Sequence, residues 1–159
     1  MSMTTNQASV ADEAAFSVRR TIRIDAPVSK VWAAVTEAEH ISRWFGRAEF
    51  DGAGAGAQGT LTWEGYGSVP VRIDAVDPQR SITYRWNNDD ALGAPIAEFD
   101  EARASVFTFT LDEADGGTQL TVVESGFGNT SDPAFNLEAH RQGWDSELDK
   151  LVMLLESTP

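Results

Sequence analysis

The sequence predicts an α+β fold, in which one antiparallel sheet packs against a long helix at the C-terminus. Short segments between Leu61 and Glu124 alternate apolar and polar residues and are separated by turn signals, which is typical of strands joined by hairpins. No crossover helix lies between these strands, so a parallel sheet is not expected. The last segment, from Pro133, instead places its apolar residues at helical spacing.

Composition indicates one domain and disfavours several classes of partner. The chain has 159 residues, of which 42% are hydrophobic, and its 12 Lys+Arg against 25 Asp+Glu give a net charge of −13. Such a surface repels phosphate backbones and anionic lipid headgroups, so we expect no nucleic-acid or membrane partner. The absence of cysteine excludes disulfides and thiolate chemistry. With no signal-peptide pattern and no apolar run of about 18 residues, we expect a cytoplasmic protein.

The N-terminal region predicts a tail, a strand and two helices, in that order. Residues 1–15 are small, polar and aperiodic, which predicts a disordered tail, and residues 16–159 are predicted as a single domain. The alternation from Phe16 to Asp25 predicts a half-buried strand, which only Arg20 interrupts. Pro27 then begins a helix, and a second, short helix is predicted over residues 37–43.

Five further strands are predicted, each with apolar residues at every second position. The connection over residues 87–103 is longer than the ~12–15 residues usual for loops without secondary structure. It is rich in carboxylates, so it is either a mobile lid or a disordered acidic loop. The residues on the predicted inner face are Leu61 and Trp63, then Val69, Val71 and Ile73, then Ile82, Tyr84 and Trp86, then Phe107, Phe109 and Leu111, and finally Leu120, Val122 and Glu124.

The C-terminal segment carries the strongest helical pattern. Asp132 and Pro133 are typical of a helix start. At about 100° per residue, six residues fall on one narrow stripe that should face the sheet. These residues are Leu137, His140, Trp144, Leu148, Leu151 and Leu155.

Two apparent cofactor or metal motifs are not supported. The segment from Gly54 to Gly59 matches G-x-G-x-x-G, but the dinucleotide fingerprint needs a helix next, and a strand beginning near Leu61 follows instead. We interpret it as a flexible hairpin loop and expect no cofactor. The two histidines, His40 and His140, have no acidic residues at ligand spacing, so no metal site is expected. No G-x-S-x-G motif is present, so a hydrolase triad is not supported.

Glu124 is the most informative polar residue. If Leu120 and Val122 face the core, strand parity places Glu124 on the same side. A buried carboxylate must be paired, hydrogen-bonded or protonated. Three residues could serve as partners: His140, Arg20 and Trp144. Glu124 is then either an anchor or acid/base group inside a cavity, or a residue at the strand's end that reaches water.

The aromatic residues of the inner face also allow two interpretations. They fill a packed core, or they form the walls of a cavity for an apolar ligand. The candidate cavity residues are Trp63, Tyr84, Trp86, Phe107, Phe109, Glu124, Phe127, His140 and Trp144.

Four segments, taken together and in order, resemble a known family. They are residues 24–32, the pair Trp44-Phe45, residues 118–127 and residues 140–151. The chain resembles the START-like superfamily, also called SRPBCC, and within it the branch of the activator of heat shock protein 90 ATPase. The resemblance extends over roughly residues 15–155. It implies a helix-grip fold, in which a curved antiparallel sheet surrounds a long C-terminal helix and a cavity, with two short helices after the first strand.

The resemblance leaves three functions open, because members of the superfamily include lipid and hormone binders, polyketide cyclases and co-chaperones. The favoured one is non-enzymatic binding of a small apolar or aromatic molecule. The second is a co-chaperone or stress-response protein, with a chaperone or another protein as partner. The third is a cyclase- or hydrolase-like enzyme that uses Glu124 or His140 as general acid or base.

Overall fold

The structure is a computed structural model that describes residues 6–157. It contains one eight-stranded antiparallel sheet with the strand order β1-β2-β8-β7-β6-β5-β4-β3, and three α-helices. The strands are β1 Val10–Asp12, β2 Ser17–Ile24, β3 Arg47–Asp51, β4 Gln58–Trp63, β5 Gly67–Asp77, β6 Ser81–Trp86, β7 Ser105–Ala114 and β8 Gly117–Ser125. The helices are α1 Val28–Thr36, α2 Ala38–Ile41 and α3 Pro133–Ser157.

This architecture confirms the predicted α+β helix-grip fold, including all five strands between residues 61 and 124. Two strands were not predicted individually. β3 pairs with β4 at one edge of the sheet, and β1 pairs with β2 at the other. The two short helices therefore follow the second strand of the chain and not the first.

The predicted tail over residues 1–15 differs from the structure where it is described. Residues 1–5 lie outside the described residues. Val10–Asp12 forms β1, and the segment before it is held by side chains: the Ser9 backbone N–H donates to Asp145 at 2.7 Å, and Asn6 accepts from the Arg23 backbone N–H at 2.8 Å. These long-range bonds replace the apolar periodicity that the segment lacks, which is why the sequence pattern did not show them.

Arg20 explains the break in the alternation of β2. Its side chain points inward with the apolar residues and is only 4% exposed. Its guanidinium donates to the Gln7 carbonyl at 2.9 Å, to the Asp145 carbonyl at 3.1 Å and to the Asp149 carboxylate at 2.7 Å. Arg20 thus joins β2, the N-terminal segment and α3 through hydrogen bonds, and it does not reach Glu124.

Helix α3 packs its predicted stripe against the sheet. All six predicted stripe residues are buried, and Asn136 and Val152 are buried with them. α3 contacts β1, β2 and α1, as well as the turns before it. The inner face of the sheet and this helix enclose the space in which the candidate site lies.

The acidic connection over residues 87–103 is folded. It contains two 3-10 helices, Asp90–Leu92 and Glu101–Arg103. The side chain of Asn87 donates to the Asp100 carbonyl and accepts from the Asp100 N–H, both at 2.8 Å. Asp89 accepts from Ser131 and from Asn136 at 2.8 Å, which ties the connection to the start of α3. The connection is therefore a wall beside the helix and not a disordered loop.

Candidate functional site

The carboxylate of Glu124 lies at the centre of the inner face and is completely buried. β8 places it opposite Phe107 of β7 and Val18 of β2. Its Oε1 accepts from two residues of α3, His140 Nδ1 at 2.8 Å and Trp144 Nε1 at 2.9 Å. The prediction that strand parity takes Glu124 inward, and that His140 and Trp144 meet it, agrees with this arrangement.

The second oxygen of Glu124 is held by the sheet. Oε2 accepts from Trp86 Nε1 at 2.8 Å and from Ser105 Oγ at 2.7 Å. Trp86 ends β6 and Ser105 begins β7, and the two residues are paired in register. The carboxylate therefore has four donors, which compensate the loss of water that burial imposes.

His140 is bonded at both ring nitrogens. Nε2 lies 2.8 Å from the carbonyl oxygen of Asn88, and because a carbonyl only accepts, Nε2 carries a proton. With Nδ1 donating to Glu124, the hydrogen-bond partners assign the ring as an imidazolium. Asp90 lies close, with Oδ2 3.4 Å from Nε2.

Burial and charge act in opposite directions on this pair. Burial alone lowers the pKa of His140, but the carboxylates of Glu124 and Asp90 raise it, and the net direction is upward. Burial likewise raises the pKa of Glu124, whereas the positive charge of His140 and the donated hydrogen bonds lower it overall. We therefore treat the pair as a buried ion pair.

A pocket of about 210 Å³ lies beside this ion pair, between α3, the β4–β5 turn and the acidic connection. Five aromatic rings line it, and several are in mutual contact: Phe45 stacks on Trp144 with a centroid distance of 5.6 Å and meets Trp63 edge-on at 5.1 Å. The aromatic lining residues are Phe45, Trp63, Tyr66, Trp86 and Trp144, and the remaining ones are Asn88, Asp90, Ala139, His140, Gly143 and Glu147.

The pocket contains polar atoms that the fold itself does not satisfy. Within residues 6–157, no hydrogen-bond partner reaches the buried Oδ1 of Asn88. The buried hydroxyl of Tyr66 also lacks a hydrogen bond of good geometry among these residues, although it faces Asp90. Burial, together with the Asp90 charge, raises the pKa of Tyr66 to about 12. Buried polar atoms of this kind mark places where a ligand or water completes the bonding.

Gly143 keeps part of the pocket open. It lies within α3 and lines the pocket, and a Cβ atom added there would meet no other atom within 4 Å. The position has no conformational need for glycine, and glycine within a helix is unfavourable by about 1 kcal/mol relative to alanine. The missing side chain therefore contributes space next to Trp144.

The structure divides the nine predicted cavity residues into two groups. Trp63, Trp86, His140 and Trp144 line the pocket. The other five lie behind it. Tyr84, Phe107 and Phe109 pack together around a space of only about 10 Å³, with the Tyr84 hydroxyl donating to the Val35 carbonyl at 2.6 Å. The last two are Glu124, below the walls, and Phe127, whose ring meets that of His140 edge-on at 5.1 Å.

Several residues of the site were not predicted. Ser105 holds the carboxylate, and five unpredicted residues line the pocket with polar or aromatic groups: Phe45, Tyr66, Asn88, Asp90 and Glu147. Phe45 and Tyr66 lie in connections between elements, Asn88 and Asp90 lie in the acidic connection, and Glu147 lies in α3. The Gly65-Tyr66-Gly67 turn is a signal that could have found Tyr66, because an aromatic ring between two glycines has no core-forming repeat to explain it.

No group of three or more His, Asp or Glu side chains in residues 6–157 is arranged to hold a metal ion. Over the same residues, no helix combines the length and apolarity that a membrane span needs.

Comparisons with known proteins agree with the fold. A family model described as Activator of Hsp90 ATPase homolog 1-like protein matches residues 25–156. No curated protein gives a significant match. Among solved structures, protein MLL2253 from Mesorhizobium loti is 29% identical, with a TM-score of 0.74 over 90% of this chain and 98% of that one.

Two further solved structures share the fold at lower identity. CalU16 from Micromonospora echinospora is 24% identical, with a TM-score of 0.67 over 97% of this chain and 87% of its own. The Aha1 dimer from Colwellia psychrerythraea is 18% identical, with a TM-score of 0.69 over 88% of this chain and 96% of its own. At these identities the likeness carries the fold alone.

Proposed function

Since the chain belongs to the Activator of Hsp90 ATPase homolog 1-like family of the START-like superfamily, we propose that it binds a small apolar or aromatic molecule, without catalysis, in the pocket between α3 and the sheet. The observation that carries the proposal is the pocket itself, in which five aromatic side chains surround a space of about 210 Å³. Apolar walls with a few polar groups are typical of small-molecule sites.

The size of the pocket limits its ligand. Sites for drug-sized molecules usually enclose about 300–1,000 Å³, so this pocket suits a molecule of one or two rings. The indoles of Trp63 and Trp86 lie 6.2 Å apart between centroids, and Trp144 continues the row at 6.1 Å from Trp86. Flat rings stack favourably on such surfaces.

The bonding of His140 and Glu124 supports binding over acid/base catalysis. A general base must come within hydrogen-bond reach of the proton that it removes. Glu124 is completely buried and is surrounded by its own four donors, and His140 uses both nitrogens within the protein. The pair holds the sheet and α3 in place around the pocket.

The test uses indole as the probe. Isothermal titration calorimetry should show saturable binding at one site, and indole should raise the melting temperature, because a ligand of the folded state stabilises it. Gly143→Leu fills the open space beside Trp144 and should abolish binding. Ser146→Leu adds the same side chain at an exposed position of α3 and should leave binding unchanged. A folded wild-type protein with neither binding heat nor a melting shift contradicts the proposal.

A second candidate function is that of a co-chaperone. It is favoured by the family's description and by a separate groove between β1 and the first turns of α3, whose apolar residues include Ala11, Phe16 and Leu137. The measurement is the ATPase rate of an Hsp90 chaperone with and without the chain. Stimulation that Phe16→Asp abolishes and Gly143→Leu retains supports this function, and an unchanged rate rejects it.

A further inference from the structure

The polar side of the pocket points to a more specific ligand. We propose that the pocket selects an amine that binds as its ammonium cation, with an aromatic or aliphatic body that packs against the indoles. This inference rests on the proposed function, since it names the ligand class of the same pocket.

The first argument is the sign of the charges that face the pocket. Two carboxylates line it, those of Asp90 and Glu147, and no Lys or Arg side chain of residues 6–157 does so. The lining contains one positive group, His140, and Glu124 already opposes its charge at 2.8 Å. The Oε2 atom of Glu147 is buried and lies 2.7 Å from the Lys150 ammonium, which already opposes the charge of Glu147 and leaves Asp90 as the principal carboxylate for a ligand.

The second argument is the kind of hydrogen bond that the pocket lacks. Asn88 Oδ1 is a buried acceptor without a donor among residues 6–157, and the Tyr66 hydroxyl has no well-formed bond among them. Both lie in the lining with Asp90. An ammonium group offers up to three donors and no acceptor, which matches a carboxylate, an amide oxygen and a hydroxyl oxygen.

The third argument is the charge balance at Asp90. Its side chain is 31% exposed and its Oδ2 is 3.4 Å from His140 Nε2, beyond a hydrogen bond, because the Asn88 carbonyl takes that proton. Burial raises the pKa of Asp90, the charge of His140 and the nearby Tyr66 hydroxyl lower it, and the charges of Glu124 and Asp89 raise it again, so that the net direction is upward. The carboxylate is therefore only partly compensated by the protein, and a ligand cation would supply the missing positive charge.

The aromatic walls favour the same cation. An ammonium group within about 6 Å of an indole centroid is attracted to the negative face of the ring, most strongly for tryptophan. An anionic ligand would instead meet two carboxylates in a protein of net charge −13. A neutral ligand would leave the charge of Asp90 only partly compensated.

The test compares three ligands of nearly the same shape: 2-phenylethylammonium, 2-phenylethanol and 3-phenylpropionate. Isothermal titration calorimetry at pH 7 should show the cation binding about tenfold or more tightly than the alcohol, with the carboxylate weakest; tenfold corresponds to about 1.4 kcal/mol. Asp90→Asn should remove the preference, so that the cation and the alcohol bind the variant with about equal affinity.

The matched control is Asp112→Asn, which removes an exposed carboxylate of β7 outside the pocket and changes the net charge equally. It should retain the preference for the cation. If both variants lose the preference, the effect comes from overall charge and the inference is wrong. If the alcohol binds wild type as tightly as the cation, the inference fails while the proposed function stands. If none of the three ligands binds but indole does, the inference fails while the proposed function stands, and if indole does not bind either, the proposed function fails as well.

Discussion

The indoles of Trp86 and Trp144 lie 6.1 Å apart between centroids, and each donates its N–H to a different oxygen of the Glu124 carboxylate. Trp86 belongs to the sheet and Trp144 to α3. One buried charge therefore sets the distance between the two walls of the pocket, and its removal should affect both stability and binding.

The first prediction concerns Glu124→Gln. The carboxylate accepts hydrogen bonds from donors on both of its oxygens, whereas the NH2 group of glutamine cannot accept any. The substitution would also leave the His140 cation without its counter-charge. Breaking a buried ion pair in this way costs about 3–5 kcal/mol. Urea denaturation measures the loss. The exposed Glu113→Gln serves as the control and should change stability by less than about 0.5 kcal/mol, and an equally small effect of Glu124→Gln would contradict the assignment of the pair.

The second prediction concerns pH. The pKa of His140 lies above its ordinary value of 6.5 in the folded protein. The contribution of His140 to the free energy of unfolding is therefore complete below pH 6.5 and is lost as pH rises through the folded pKa. The pKa of Glu124 lies below 4.5, so its contribution is complete above pH 4.5 and is lost as pH falls. The ion pair therefore stabilises the folded protein most between pH 4.5 and pH 6.5.

The measurement is the free energy of unfolding across pH 5–9. His140→Gln should be less stable than wild type, with the difference largest near pH 5–6 and shrinking toward alkaline pH. His40→Gln changes the other histidine, which is partly exposed on α2, and should keep the wild-type alkaline slope. If the slope survives in His140→Gln and disappears in His40→Gln, the assignment to the buried pair is wrong.

The third prediction concerns Gly143→Ala. The added methyl group meets no atom within 4 Å, and alanine is a better helix former than glycine, so stability should rise by about 0.5–1 kcal/mol. The same methyl group takes space from the pocket, so the affinity for indole should fall. Thermal unfolding and calorimetry measure the two effects. A destabilised variant would show that the space at Gly143 is filled in the folded protein.

The fourth prediction separates packing from hydrogen bonding at Trp144. The side chain is 2% exposed and contacts Phe107 and Phe109 at centroid distances of 5.1 and 5.8 Å. Trp144→Ala should cost about 3–5 kcal/mol and weaken ligand binding. Trp144→Phe keeps a ring but leaves Glu124 Oε1 without one donor, which should cost about 1–3 kcal/mol. Equal losses in both variants would mean that the ring packing contributes nothing beyond the hydrogen bond.

Periodicity within single elements located the centre of the site from the sequence. The parity of Leu120 and Val122 was enough to turn Glu124 inward, and the helical repeat was enough to place His140 and Trp144 on the facing stripe. Each rule depends only on the geometry of one strand or one helix. The spacing of residues along the chain is therefore enough to predict it.

The rest of the site depends on relations between elements. Ser105 reaches Glu124 because β7 pairs in register with β8 on one side and with β6 on the other. Parity shows which side of the sheet a ring occupies, but not whether another side chain covers it. Phe107 and Phe109 face the predicted side, yet Phe45 and Trp44 pack against them at 6.3 Å and close off that space. Tyr66 and Asp90 lie in segments that have no repeat at all.

The row of Trp63, Trp86 and Trp144 also has an optical consequence. These are three of the five indole chromophores of the chain, and the centroid of Trp86 lies only 6.2 Å from that of Trp63 and 6.1 Å from that of Trp144. At that spacing their ultraviolet transitions couple, so the three rings absorb and emit as a group with a circular dichroism that reflects their mutual angles. A ligand that binds beside them changes the spectra of all three indoles at once. Fluorescence or circular dichroism can therefore distinguish the occupied from the empty pocket without an added label.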